Sequence, residues 1–261
     1  MLGNVVPNTK IDLIIKWLRE RVTTSNSDGL VVGLSGGIDS AVVVRLCQLA
    51  MPKATYGVLM PCQSDPRDES DARLLAKHFG LPILSVELEK TYELLLNSLQ
   101  KSVKHLATQR ETTRAENSRE QLSLANIKPR LRMTSLYFVA NRLNYLVVGT
   151  GNRSELTIGY FTKYGDGGVD LLPIGRCSKR EVYAIAVELG VPRTILDKPP
   201  SAGLWPGQVD ETEMGFTYDE LESYLEHRRE KLTAPTVTRI EQLWRQSSHK
   251  RSMPPIADIG E

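Results

Sequence analysis

The sequence contains little cysteine and no long apolar run. Its three cysteines, Cys47, Cys62 and Cys177, lie far apart, and none belongs to a C-x-x-C pair. This pattern argues against a disulfide framework, a zinc site and an iron–sulfur cluster. No apolar run approaches the roughly 20 residues that a membrane-spanning helix needs, and residues 1–10 lack the cationic start and apolar core of a signal peptide. We therefore expect a cytoplasmic protein.

An excess of charge of one sign is also absent. With 33 basic and 31 acidic residues, the net charge is only +2, which gives no general reason to expect nucleic acid or membrane partners. The charged fraction of 25% and the hydrophobic fraction of 41% are those of a globular protein. Since 261 residues can bury one large core, we expect a single domain over residues 1–261.

Apolar patterns predict strands that alternate with helices. One strand begins at Leu30, and others are predicted at 54–60, 83–88 and 145–148. This order implies parallel strands joined by right-handed crossovers. We expect an α/β fold, a Rossmann-like parallel sheet flanked by helices, with ligands at the carboxyl ends of the strands. Residues at helical spacing are predicted to form buried helix faces: Ile11, Ile14, Ile15 and Leu18; Ala72, Leu75, Ala76 and Phe79; Tyr92, Leu95, Leu96 and Leu99; Met133, Leu136, Tyr137 and Ala140; and Val182, Ile185, Ala186 and Leu189.

Other stretches lack this periodicity. Residues 109–119 are polar throughout, which is typical of a solvated helix end or a mobile loop. Residues 195–207 are rich in proline and glycine and are predicted to form a loop. A helix starting at Pro129 is predicted from the ability of proline to open a helix. The cationic cluster at 248–251 is typical of a solvated chain end.

The first strand runs into the loop Ser35-Gly36-Gly37-Ile38-Asp39-Ser40, after which an apolar helix begins. Its glycines allow the backbone to approach a ligand closely, and the N-terminus of the helix attracts anions, so the loop is predicted to bind phosphate. It lacks the lysine of the Walker pattern. Because a carboxylate beside a phosphate repels it unless a cation lies between them, Asp39 is predicted to bind magnesium. The alternative is an ordinary turn whose small residues serve packing.

Three further features point to the same edge of the sheet. Glu155 follows the fourth strand, three residues after Asn152, and is either a capping-box residue or a site carboxylate. Arg130 and Lys179 each fall at the start of a predicted helix, where a cation is unfavourable unless an anion such as phosphate is nearby. The run 161–173 holds three glycines, two aspartates and a lysine, which packing does not explain.

Together these motifs resemble a known family. The loop at 35–40 resembles the SGGxDS loop of the N-type ATP pyrophosphatases. With the segments 126–133, 149–155, 161–173, 210–213 and 249–251, it resembles NAD synthetase in order and over nearly the whole chain. The resemblance implies an adenine nucleotide alpha hydrolase-like fold and a homodimer. It also implies ATP-dependent amidation of deamido-NAD by ammonia, giving NAD, AMP and pyrophosphate.

The resemblance assigns roles to the residues that match the family motifs. It implies that Asp39 and Glu155 hold Mg²⁺ and that Asp166 orients or deprotonates the incoming ammonia. The residues implied to bind ATP are Gly33, Leu34, Ser35, Gly36, Gly37, Ile38, Asp39, Ser40, Arg130, Thr150, Lys179 and Ser201, the last in place of a threonine common in relatives. The residues implied to bind deamido-NAD are Lys163, Asp170, His249 and Lys250.

The nitrogen donor and two rival functions complete the expectations. Glutamine-using relatives carry an additional amidase domain, for which the sequence has no free segment, so ammonia is the expected donor unless a separate glutaminase supplies it. One rival is another adenylating pyrophosphatase, either GMP-synthetase-like or tRNA-modifying; a thiolating member would need paired cysteines, and a tRNA enzyme a basic face. The other rival is a non-catalytic ATP-binding sensor, which has no use for Lys163, Asp166 and Asp170.

Overall fold

A small parallel sheet places the glycine loop, residues 35–40, at the middle of its carboxyl edge. The structure is a computed structural model that describes residues 9–104, 114–201, 203–205 and 207–259. Within these residues, four strands form a sheet in the order β3-β2-β1-β4. They are β1 (Gly29–Gly33), β2 (Thr55–Leu59), β3 (Ile83–Ser85) and β4 (Tyr145–Val148). Because β1 pairs with β2 on one side and with β4 on the other, the strand order reverses at β1, where ligands of open α/β sheets bind.

Helices connect and cover the strands. Helix α2 begins within the glycine loop, at Ile38, and short 3₁₀ turns at 229–231 and 248–250 lie near the C-terminal end. None of the helices in the described residues combines the length and apolar character of a membrane span. The helices are α1 (Lys10–Thr24), α2 (Ile38–Ala50), α3 (Pro66–Phe79), α4 (Glu89–Val103), α5 (Arg114–Ala125), α6 (Ile127–Leu143), α7 (Arg153–Ile158), α8 (Lys179–Glu188), α9 (Arg193–Leu196), α10 (Asp210–Met214), α11 (Tyr218–Leu225) and α12 (Ala234–Gln246).

The alternation of side chains along β1 divides the core into two layers. Leu30 and Val32 pack with α1, α2, α3 and α8, whereas Val31 packs with residues of α4 and α6. A third apolar cluster joins α7, α10, α11 and α12 and includes Ile158 and Leu221. This cluster attaches the C-terminal helices to the helix that follows β4, beside the carboxyl edge of the sheet.

Most predicted helix faces are confirmed. The α1 face packs on the core, and Ala72, Leu75 and Ala76 are buried in α3. In α4 the prediction is partly wrong, because Leu95 and Leu99 are 39% and 44% exposed. They lie on a side of α4 that no described residue buries.

Three loop and boundary predictions also need correction. Helix α6 begins at Ile127 rather than at Pro129, and the predicted loop at 195–207 starts inside α9. The cluster at 248–251 is only partly a solvated end: Ser248, His249 and Arg251 are exposed, but Lys250 and Arg251 donate hydrogen bonds to backbone carbonyls, among them those of Phe161 and Thr157. In the polar stretch 109–119, residues 114–119 belong to helix α5 and residues 109–113 lie outside the described residues.

Candidate active site

A cavity of about 740 Å³ runs along the carboxyl edge of the sheet, a size typical of small-molecule sites. It collects side chains from distant parts of the chain, and of the predicted site residues only Gly36 and Asp170 do not line it. The predicted residues that line it are Gly33, Leu34, Ser35, Gly37, Ile38, Asp39, Ser40, Arg130, Thr150, Glu155, Lys163, Asp166, Lys179, Ser201, His249 and Lys250.

The loop at 35–40 is held by its own hydroxyl groups. The Ser40 hydroxyl donates to the Gly37 carbonyl at 2.9 Å, and the Gly37 N–H donates to the Ser35 hydroxyl at 3.3 Å. Gly36 has a φ of +77°, a left-handed conformation that side chains disfavour. It faces away from the cavity, toward the backbone of Asp68 in α3. These hydrogen bonds and the conformation of Gly36 fix the shape of the loop, and residues at the N-terminus of α2 line the cavity.

Two carboxylates and one ammonium meet beside this loop. Lys179 Nζ forms a short hydrogen bond with Asp39 Oδ2 and lies 3.8 Å from Glu155 Oε1. The side chains of these three residues are only 14–18% exposed. Asn152 Nδ2 donates to the other Asp39 oxygen at 3.1 Å. The Lys179 ammonium is thus paired with two carboxylates, and its contact with a phosphate stays a prediction.

The capping-box hypothesis for Glu155 is confirmed, and its role as a site carboxylate stays a prediction, at a residue that lines the cavity. Its Oε2 accepts a hydrogen bond from the Asn152 N–H at 3.1 Å and completes a capping box, while its Oε1 faces Lys179. Burial, followed by the nearby Asp39 charge, raises the pKa of the Glu155 carboxyl. Although burial alone would lower the pKa of the Lys179 ammonium, Asp39 and Glu155 raise it above its usual range. The position therefore favours positive charge strongly.

This donor set fits magnesium. Mg²⁺ prefers oxygen ligands and is commonly held by one or two carboxylates together with water and substrate phosphates. Asp39 and Glu155 converge on a single cationic atom, which is the arrangement such a pair needs. Among the described residues no cluster of three His, Cys, Asp or Glu side chains could hold a metal, so the site would depend on further oxygen ligands.

Asp166 lies in the run 161–173, on another wall of the cavity. Its Oδ1 accepts a hydrogen bond from the Thr162 N–H at 2.9 Å, and the Thr162 hydroxyl donates to Asn126 at 2.6 Å. Desolvation raises the pKa of the Asp166 carboxyl, against the effect of its backbone hydrogen bonds and of Lys250. The local turn therefore presents to the cavity a carboxylate that accepts a proton more readily than an exposed aspartate.

The cationic residues predicted to hold deamido-NAD surround the same run. Lys163 Nζ donates to the His249 carbonyl at 2.6 Å, and Lys250 Nζ donates to the carbonyls of Gly159 and Phe161 at 2.7 and 2.6 Å. Arg130 Nη2 lies 3.4 Å from the Lys163 carbonyl. The structure thus brings Arg130 and the C-terminal cluster to one end of the cavity, although they are distant in sequence.

Asp170 lies outside the cavity. Its carboxylate accepts hydrogen bonds from the Tyr137 hydroxyl at 2.9 Å and from the Val147 N–H at 2.8 Å. Val147 belongs to the edge strand β4, so Asp170 completes the hydrogen bonding of that edge. The role of Asp170 in substrate binding stays a prediction.

Several charged residues of the cavity wall are missing from the predicted site, Arg132 and Lys198 among them. Arg132 donates to the Met60 carbonyl at 3.2 Å and to the Ser64 hydroxyl at 3.0 Å, and burial lowers the pKa of its guanidinium. Lys198 donates to Asp68 and Asp71, both at 2.7 Å. Arg132 could have been suspected because it follows Arg130 by two residues, but no local pattern identifies the partners of Lys198.

The parallel sheet, with its glycine turn after β1 and the acidic pair beside that turn, places the protein among α/β proteins of the adenine nucleotide alpha hydrolase type. The family model described as NAD synthase matches residues 10–254. The chain belongs to the NAD synthase family.

Individual relatives agree with this membership. The chain is similar to the NH(3)-dependent NAD(+) synthetase of Carboxydothermus hydrogenoformans, with 49% identity covering 95% of this chain and 96% of the relative. Among solved structures it resembles an NMN synthetase from Francisella tularensis, with 33% identity, a TM-score of 0.86 and coverage of 98% of this chain and 100% of that one. It also resembles an NH3-dependent NAD synthetase from Campylobacter jejuni, with 29% identity, a TM-score of 0.74 and coverage of 95% and 97%.

Proposed function

We propose that the protein is an ammonia-dependent NAD synthetase, a ligase that forms a carbon–nitrogen bond. It uses ATP to amidate the nicotinate carboxylate of deamido-NAD, giving NAD, AMP and pyrophosphate. The observation that carries the proposal is the convergence in one cavity of the loop at 35–40, the pair Asp39 and Glu155, Lys179 and Asp166. Family membership and the NH(3)-dependent relatives support the same reaction.

Adenylation answers the chemical difficulty of this reaction. A carboxylate is a poor electrophile because the leaving group would be oxide. In the proposed first step, a nicotinate carboxylate oxygen attacks the α-phosphorus of ATP and pyrophosphate leaves. In the second step, ammonia attacks the acyl carbon and AMP departs with that oxygen. The loop at 35–40 would bind the departing pyrophosphate with its backbone N–H groups, and Lys179 would contact the nucleotide.

Magnesium would be held by Asp39 and Glu155. When bound, the ion would offset the negative charge of the triphosphate. Since Lys179 contacts both carboxylates, the ammonium and a bound metal ion would compete for one acidic position. The ammonium is therefore expected to shift toward the phosphates when the metal binds.

Asp166 is proposed to prepare the nitrogen nucleophile. Ammonia is mostly ammonium at neutral pH, so the nucleophile must lose a proton before it attacks. A carboxylate with a raised pKa can attract the ammonium ion and accept its proton. Lys250 is the cation with the largest effect on this pKa, and its charge favours the ionised form of the carboxylate.

A second candidate substrate is the mononucleotide. The structural likeness to an NMN synthetase, with a TM-score of 0.86, favours testing it. The chemistry would be unchanged, because nicotinate mononucleotide carries the same carboxylate on the same ring. The two substrates differ in the adenylate half of the dinucleotide, which would need the cationic end formed by Lys163, His249 and Lys250.

A homodimer of single-domain subunits over residues 1–261 is also proposed. Leu94 on α4 and Phe138 on α6 are 71% and 72% exposed. The exposed Leu95 and Leu99 also belong to α4, which packs on the same face of the sheet as α6. An apolar surface of this kind is typical of an interface. A second copy covering it would account for the inward face predicted for α4.

One assay separates the candidates. Pyrophosphate release is measured with ATP, Mg²⁺ and ammonium in the presence of deamido-NAD, nicotinate mononucleotide, XMP or unmodified tRNA in turn. Release that depends on deamido-NAD is the expected result, and preference for the mononucleotide would select the second candidate. Release with XMP or tRNA, or ATP binding without release in any mixture, would refute the proposal.

A further inference from the structure

Asp210 is a buried carboxylate to which the sequence analysis gives no role. It lies at the start of α10 and is 4% exposed. Its Oδ1 accepts a hydrogen bond from the Tyr160 hydroxyl at 3.2 Å, and its Oδ2 accepts one from the Tyr218 hydroxyl at 3.0 Å. Burying a carboxylate is costly unless hydrogen bonds compensate it. An apolar residue would pack here at a lower cost in free energy, so packing alone does not explain a carboxylate at this position.

Tyr218 connects Asp210 to the candidate active site. The Tyr218 side chain is itself buried, at 6% exposure, and the centre of its ring lies 5.2 Å from Lys179 Nζ. An ammonium within about 6 Å of an aromatic ring centre is attracted by the electron density of the ring face. A phenol that donates a hydrogen bond to a carboxylate carries more negative charge on its ring. The hydrogen bond to Asp210 therefore strengthens the attraction between the Tyr218 ring and Lys179, and it also fixes the plane of the ring.

Lys179 is therefore held by three elements of the fold. Asp39 belongs to α2, Glu155 to α7 and Tyr218 to α11. A divalent cation bound to Asp39 and Glu155 would weaken the two carboxylate contacts of Lys179. The Tyr218 ring would still be in place, because it presents no charge for the metal to neutralise. The ring is thus suited to hold the ammonium near the nucleotide when the site is loaded.

We propose that Asp210 is a positioning residue for nucleotide binding, which acts by holding the Tyr218 ring against Lys179. This inference rests on the proposed function for the place of Lys179 beside the nucleotide. In this role Asp210 acts through Tyr218 and does not itself contact the reacting atoms. It assigns to the acidic run at 210–213 a task in arranging a lysine that is about 30 residues earlier in the sequence and on a different helix.

The test measures binding without turnover. Isothermal calorimetry gives the dissociation constant of α,β-methylene-ATP, which cannot release pyrophosphate, in the presence of Mg²⁺. The variants are Asp210→Asn, Tyr218→Phe and the double variant. Tyr224→Phe is the matched control, because it removes a tyrosine hydroxyl from the same helix. That hydroxyl donates to a different carboxylate, Glu241, at 3.4 Å, and neither residue lines the cavity.

We expect each single variant to weaken binding of the analogue about 3- to 10-fold, the scale of a partly desolvated cation–ring contact. The double variant should bind no more weakly than the weaker single variant, because both changes break one chain of contacts. Tyr224→Phe should stay within twofold of wild type. Asp210→Glu, which keeps the carboxylate, should recover part of the affinity lost in Asp210→Asn.

Several outcomes would overturn the inference. They are weak binding in Asp210→Asn with normal binding in Tyr218→Phe, effects that multiply in the double variant, and a lowered melting temperature with unchanged affinity. Tyr218→Phe keeps the ring and its packing, so the test does not depend on Asp210→Asn folding. Failure of the proposed function would appear differently, as absence of NAD formation in the wild-type protein while the binding comparison still applies.

Discussion

Gly36→Ala is predicted to be the most damaging small substitution in the glycine loop. The φ of Gly36 is +77°, and a non-glycine residue in the left-handed region costs about 1–2 kcal/mol. An added Cβ would also collide with the Asp68 carbonyl oxygen, and it would lie 3.1 Å from the Asp68 carbonyl carbon and 3.2 Å from Asp71 Cβ. Overpacking against backbone costs a further 1–3 kcal/mol or so. The total loss of stability is about 2–5 kcal/mol.

Two other glycines separate these two contributions. Gly80 has a φ of +61° with nothing within 4 Å of an added Cβ, so Gly80→Ala should show the backbone cost alone, about 1–2 kcal/mol. Gly37 has a φ of −92°, and its added Cβ would meet only the Ser35 hydroxyl at 3.4 Å. Gly37→Ala should therefore change the free energy of unfolding by less than about 1 kcal/mol.

The assay is urea unfolding followed by circular dichroism, together with calorimetric titration of α,β-methylene-ATP. We expect stability to fall in the order Gly37→Ala, Gly80→Ala, Gly36→Ala. Gly36→Ala should also lose more than tenfold in affinity for the analogue, whereas Gly80→Ala should keep wild-type affinity. If Gly36→Ala is no less stable than Gly80→Ala, then the contact of the loop with the Asp68 backbone adds no cost, and the reasoning is refuted.

The remaining predictions concern the carboxylates and the exposed face. Because the pKa of Glu155 is raised, its stabilising contribution to the metal-free protein is present at low pH and is lost as pH rises from the usual glutamate range through the raised pKa. In EDTA, Glu155→Gln, which keeps the capping box, should therefore resist urea better than wild type at pH 8 and show little difference at pH 5; equal curves at pH 8 would contradict the raised pKa. Asp166→Asn should depress amidation and spare adenylation, measured as exchange of labelled pyrophosphate into ATP; unchanged turnover would remove Asp166 from the mechanism. Phe138→Glu should give a monomer in sedimentation velocity, whereas Leu13→Glu, at a residue 57% exposed on α1, should not; a wild-type monomer would exclude the proposed interface.

Local patterns predicted the framework of the fold because each depends on neighbours in sequence. Strand β4 lies where its apolar run predicts, and β1 leads directly into the glycine loop. Short elements were missed, since α9 and α10 span four and five residues and carry less than two turns of apolar periodicity. The inward assignment of Leu95 and Leu99 failed because an apolar stripe shows that a surface avoids water, but not which surface covers it.

The candidate site was predictable in its parts and not in its contacts. The turn from β1 into α2 and the capping box at Asn152 are local signals, and the structure contains both; phosphate binding by the turn stays a prediction. The meeting of Lys179 with Asp39, 140 residues apart, depends on the packing of α8 beside α2, for which no local pattern exists. For the same reason no local pattern identifies Asp39 and Glu155 as the partners of Lys179, or connects Asp210 with Tyr218.

Isotope transfer tests the proposed reaction most directly. Deamido-NAD labelled with ¹⁸O in both nicotinate carboxylate oxygens is converted with ATP, Mg²⁺ and ammonium, and the products are analysed by mass spectrometry. Attack of the carboxylate on the α-phosphorus requires one labelled oxygen to appear in AMP, with none in pyrophosphate. Labelled pyrophosphate or inorganic phosphate, or AMP without label, would contradict adenylation at this site.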